Sequence, residues 1–168
     1  MTAPRQERKS LSRRDLLWGA AAVSGVIAAL AGGAEASALN VVVSDERSGL
    51  AIFGFDPVAY FTDAAAEPGV PEFELRHGGV VWRFRNSGNR SAFAANPEIY
   101  MPQYGGHDPV SVGRGASAAG HPRLWLIARQ RLYLFYSAAA RAAFVEDPDR
   151  AIELAERRWP EVMATLVP

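Results

Sequence analysis

Residues 72–84 read Glu72-Phe73-Glu74-Leu75-Arg76-His77-Gly78-Gly79-Val80-Val81-Trp82-Arg83-Phe84, and this stretch decides the fold. Phe73 and Leu75 alternate with charges on the way out, and Val80, Trp82 and Phe84 alternate on the return. A period of two marks a half-buried strand. His77-Gly78-Gly79 supplies the turn, where glycine accepts positive φ. Residues 124–128 and 132–136 give a second hairpin, turning at Arg129-Gln130-Arg131.

Helices are predicted around this pair. Asn86 and Ser87 are suited to cap one that carries Phe93 and stops at Asn96-Pro97. Ser137 caps another through Phe144. Asp147-Pro148 opens the last, with Ile152, Ala155 and Trp159 on one face and Pro160 interrupting or restarting it. The expected fold class is α+β, a small single domain of two short antiparallel hairpins packed with about three helices. Residues 100–120 read as a long, irregular, glycine-rich loop. No internal repeat is expected in the mature chain.

The chain has 168 residues, with 18 basic and 18 acidic side chains and no net charge. Nothing in it forms the basic stripe that nucleic acid requires, so no nucleic-acid partner is expected. There is no cysteine, which removes disulfides, thiolate ligands, cysteine nucleophiles and c-type haem attachment. Gly-x-Ser-x-Gly, His-Glu-x-x-His and phosphate-loop patterns are absent from the sequence.

The N-terminus points to export. A basic segment reaches the pair Arg13-Arg14, a moderately apolar run follows, and Ala36-Ser37-Ala38 has the small-x-small form of a cleavage site. This order predicts a twin-arginine signal over residues 1–38, cut after Ala38, with the export machinery as partner and a periplasmic or extracytoplasmic destination. The apolar run is short for a spanning helix, and no membrane span is expected in the mature chain. Residues 39–49 read as a lead-in and 50–168 as the domain.

Five blocks carry a family resemblance. They are Gly54-Phe55-Asp56-Pro57-Val58-Ala59-Tyr60-Phe61, then Gly79-Val80-Val81-Trp82-Arg83-Phe84, then residues 89–106 from Asn89-Arg90-Ser91 through Asn96-Pro97 to Gln103-Tyr104-Gly105-Gly106. Leu132-Tyr133-Leu134-Phe135-Tyr136-Ser137 and a closing stretch from Ala155 to Trp159-Pro160 complete the set. In this order they resemble the YHS domain family across nearly the whole mature chain. The resemblance implies a small α+β domain, often exported in bacteria, with metal binding as its usual conjecture and no reaction. Many exported relatives continue Tyr-Cys-Ala after the Gly-Gly pair. Here His107-Asp108-Pro109 follows, so Asp108 stands where a cysteine is usual, and His121-Pro122 stands where an Asp-Pro pair is common. A cysteine-dependent role does not transfer.

The candidate site is the loop at residues 104–108. Tyr104, Gly105 and Gly106 form the ligand loop, the glycines allowing close backbone approach. His107, Asp108 and His121 are the candidate metal ligands, two imidazoles and a carboxylate of the kind that suits copper, zinc or iron. The bland reading of His107 is a loop histidine bonded to backbone. The expected function is non-catalytic binding of a transition metal or small ligand. The alternatives are a metal-free protein or membrane interaction module and a metal-dependent enzyme. Asp56 before Pro57 reads as a turn starter, and the tyrosines and tryptophans read as core. Arg114 and Arg123 suit either an anion or a solvated surface.

Overall fold

The structure, a computed structural model, describes residues 41–166. The expected export signal, with Arg13, Arg14 and the cleavage at Ala38, lies outside the described residues. Among the described residues the architecture is α+β: two separate antiparallel two-stranded sheets and six α-helices. In chain order come α1 (Ala59–Thr62), β1 (Val70–His77), β2 (Val80–Phe84), α2 (Ser87–Ala95) and α3 (Pro97–Tyr100). Then follow α4 (Pro109–Gly113), β3 (His121–Ala128), β4 (Arg131–Phe135), α5 (Ala138–Glu146) and α6 (Pro148–Leu166). Short 3₁₀ turns at Ile52–Gly54 and Gln103–Gly106 precede α1 and α4.

Both expected hairpins form, but each turns through two residues rather than three, so His77 and Arg131 are paired within the strands. Leu75 faces Trp82 and His77 faces Val80 in the first; Leu126 faces Tyr133 and Ala128 faces Arg131 in the second. The expected caps hold as well. The Asn86 side chain accepts from the Asn89 N–H, and Ser137 from the Ala140 N–H.

Several expectations are corrected. Residues 100–120 are not an irregular loop, because the Gln103–Gly106 turn and α4 lie inside them. Asn96-Pro97 ends α2 but also opens α3, with proline in its first turn, where its missing N–H costs nothing. Pro160 neither interrupts nor restarts α6, which runs 19 residues through it. The lead-in packs on the domain from Val41 onward. Val43 is buried, its N–H donates to Gly105 O (2.8 Å), and its carbonyl accepts from Ile52 N–H (2.8 Å).

The largest correction is that the chain is a structural repeat. The order 3₁₀ turn, short helix, hairpin, capped helix, proline-started helix occurs twice. Ile52, Phe53 and Gly54 have positive φ (43°, 58°, 78°), and so do Tyr104, Gly105 and Gly106 (54°, 61°, 90°). Asp56-Pro57 follows the first turn and Asp108-Pro109 the second. Gly69 N–H donates to Gly54 O as Gly120 N–H donates to Gly106 O. Each hairpin carries a register shift after its first pair, Val70↔Phe84 and His121↔Phe135. Phe93 packs on Trp82 and Phe84 (5.0 and 5.2 Å between centroids), and Phe144 packs on Tyr133 and Phe135 (5.1 and 5.2 Å).

Two apolar clusters make the core, one around Trp82, Phe84 and Phe93 and one around Tyr133, Phe135 and Phe144. Strand β4 serves both. Leu132 and Leu134 belong to the first cluster, Tyr133 and Phe135 to the second, as alternation along a strand buried on both faces requires. Tyr60 O–H donates to Pro122 O (2.9 Å), a second tie between the halves. Among the described residues no helix is long and apolar enough to cross a membrane.

Candidate functional site

The loop at residues 104–108 is built by left-handed backbone. Tyr104, an L-residue, is held at φ 54°, a conformation that costs energy outside glycine. Gly105 follows at φ 61°, and a Cβ there would sit 2.0 Å from Val41 O, so no side chain fits. The segment from Val41 to Val43 lies across the loop as a strap. Tyr104 O reaches back to accept from the His107 N–H (3.0 Å), and Gly120 N–H closes onto Gly106 O (3.0 Å).

His107 is 7 % exposed; among the described residues neither ring nitrogen makes a hydrogen bond of good geometry, and the Ala118 and Val41 carbonyls are its nearest polar neighbours. A buried polar group left unpaired costs about 1–3 kcal/mol, so most such groups find a partner. Burial pushes the imidazole below its ordinary range, while the Ala118 and Val41 carbonyls favour its proton and offset part of that shift. At neutral pH the ring is therefore uncharged. The Trp159 ring lies beside it (6.0 Å between centroids), and Trp159 also meets Tyr104 edge-on (5.6 Å). Tyr104 is buried too. Burial first, then the neighbouring Tyr133 and Glu156, raises its phenol well above the ordinary value. Its hydroxyl points at Ile152 O at a long 3.4 Å.

Asp108 is fully buried and fully used. Oδ1 accepts from Val110 N–H (2.7 Å) and Ser111 N–H (3.2 Å), capping α4, and Oδ2 accepts from Tyr136 N–H (3.0 Å) at the end of β4. His121 is exposed at the start of β3, and its Nδ1 accepts from Arg123 N–H (3.1 Å). The three expected metal ligands thus have three different fates, and the set is not assembled. Among the described residues no group of three His, Asp or Glu side chains is placed to hold a metal ion.

No family model, curated protein or solved structure matches this chain.

Comparison within the molecule is informative instead. The residue at the position of His107 in the first repeat is Phe55, which also follows a positive-φ glycine and precedes the Asp-Pro pair. Phe55 pairs in a bridge with Pro68, as His107 does with Ala119. The first repeat thus carries a partly buried apolar ring at this position, where the second carries a buried imidazole. Two contributors to the site were not expected from sequence. Trp159 was placed only on a helix face, and the strap at residues 41–43 carries no pattern that announces where it lies.

Proposed function

We propose that this chain is a non-catalytic binding domain of the YHS kind, exported by the twin-arginine route, with its ligand locus at the loop of residues 104–108. One observation carries the proposal. His107 brings two ring nitrogens with no hydrogen bond of good geometry among the described residues to a buried position whose counterpart in the first repeat is Phe55. A polar side chain kept buried at such a cost belongs to a group that joins it only part of the time. A neutral imidazole offers one donor and one acceptor, which suits a small polar ligand held by hydrogen bonds. Asp108 and His121 are engaged elsewhere, so a transition metal such as copper, zinc or iron would have to bring its remaining ligands. Both ring nitrogens are shielded from solvent, so a ligand reaches them when the strap or Trp159 gives way.

The test is to purify the mature protein without tag or chelator and extract what it carries. Mass spectrometry and elemental analysis are run beside a His107→Phe variant. A stoichiometric small molecule absent from the variant supports the reading. One equivalent of metal absent from the variant replaces the organic ligand with a metal complex. Identical extracts from both proteins, with no shift of the His107 ring resonances on adding metals or metabolite mixtures, reject the site.

A further inference from the structure

A groove of about 220 Å³ opens between α4, α5 and α6 of the second repeat. Its floor is apolar and small: Pro109, Val110, Gly113, Ala143 and Ala151, with Leu154 along one side. At the matching place the first repeat carries larger side chains, residue by residue. Gly113 corresponds to Phe61 and Ala151 to Tyr100, counting from the shared Asp-Pro and Pro-started helices. Phe61 and Tyr100 pack edge-to-face at 5.5 Å and fill the site. Two aromatic rings in one repeat have become a hydrogen and a methyl in the other.

The rim changes in the same comparison. Thr62 corresponds to Arg114 and Ile99 to Arg150, so two guanidinium groups stand where the first repeat has none. Both arginines line the groove, both are exposed, and neither makes an ion pair among the described residues. Asp147 shares the rim, with its Oδ1 held by the Arg150 backbone N–H (3.0 Å). The rim therefore carries two positive charges against one negative.

We propose that this groove is a binding site for a small aromatic carboxylate. The ring occupies the space that Phe61 and Tyr100 fill in the first repeat, and the carboxylate meets Arg114 and Arg150. Size allows it, since a dry cavity of about 150 Å³ already admits benzene. Guanidinium is the side chain best suited to a planar carboxylate. This site is separate from His107, and it stands or falls without that reading.

The experiment titrates the full mature protein with phenylacetate and, in parallel, with neutral phenylacetamide, following backbone amide shifts by NMR. Saturable binding of phenylacetate is expected, with shifts centred on Gly113, Ala143 and Ala151, and at least about tenfold weaker binding of the amide. Ala151→Tyr restores the first repeat's plug and is expected to abolish binding with no loss of melting temperature. Arg114→Gln with Arg150→Gln, which leaves the floor untouched, is expected to erase the preference for the acid. Absence of saturable binding at millimolar phenylacetate overturns the proposal. So does equal affinity for acid and amide, or undiminished binding by a folded Ala151→Tyr protein.

Discussion

Asp56 and Asp108 perform the same task in the two repeats. Asp56 Oδ1 accepts from Val58 N–H (2.8 Å) and Oδ2 from Arg85 N–H (2.8 Å); Asp108 Oδ1 accepts from Val110 N–H (2.7 Å) and Oδ2 from Tyr136 N–H (3.0 Å). Arg85 and Tyr136 are the residues just past β2 and β4. Each carboxylate therefore fastens a short helix to the end of its own hairpin. Each is fully buried, and its charge is offset by N–H dipoles rather than by a cation.

Asp108→Ala is expected to destabilise the metal-free protein by about 3 kcal/mol, the sum of a lost cap and buried N–H groups left unpaired. Asp56→Ala is expected to cost at least as much, because the Asn89 amide also donates to Asp56 Oδ2 (2.7 Å). Urea denaturation in the presence of chelator measures both. A loss for Asp108→Ala seen only when metal is present would instead make Asp108 a ligand.

His107→Phe is expected to fold and to gain about 1 kcal/mol, because it removes two unpaired buried nitrogens. It also tests a pH dependence. The buried imidazole titrates below its ordinary 6.5, so between that value and its depressed one the unfolded chain binds more protons. The stability this group contributes is whole above about pH 6.5 and falls as the pH drops toward the depressed value. Denaturation midpoints from pH 8 down to pH 5 are expected to show that decline in the parent protein and a shallower one in the variant.

Tyr60→Phe is expected to cost about 1–2 kcal/mol, since it leaves the buried Pro122 carbonyl without its donor. Hydrogen exchange at the start of β3 is expected to quicken, because that bond joins the first repeat to the second hairpin. Unchanged exchange would show that this bond does not hold the start of β3.

Gln130→Gly is expected to stabilise by about 1 kcal/mol. The second hairpin turns through Arg129 and Gln130 at φ 49° and 58°, where the first uses Gly78 and Gly79 at 59° and 79°. Arg129 is left in place because it pairs with Asp149 (2.6 Å). A thermal melt checks the gain.

What was legible in the sequence was what is local. Alternation around Trp82 and Tyr133 marks strands because it depends only on neighbours two apart. Asn86 and Ser137 mark helix starts for the same reason. The helices α1, α3 and α4 span four, four and five residues, too short for a 3.6-residue period to show. Pro160 reads as a break because propensity sees only the lost N–H, while Ile152, Ala155 and Val162 bury the helix on both sides of it. That His107, Asp108 and His121 are not brought together was hidden for a related reason. Ligand type is written in the sequence, but whether Asp108 has a free oxygen depends on Tyr136, far along the chain. The repeat hid because its halves share roles more than residues. Asp56-Pro57-Val58 and Asp108-Pro109-Val110 match outright, but Asn86 and Ser137, or Trp82 and Tyr133, match only in what they do.

The sharing of β4 between two cores has a consequence for how this chain is inherited and handled. Leu132 and Leu134 complete the wall of the first repeat, so a fragment ending before β3 would present that wall to water. A fragment carrying only the second repeat would expose the same two leucines on its back. Neither half has a sealed surface of its own. The two copies are free to diverge in their grooves and rims, as Gly113 and Phe61 have, but not to part company. Loss of either exposes the other, so the chain is expected to melt as one unit.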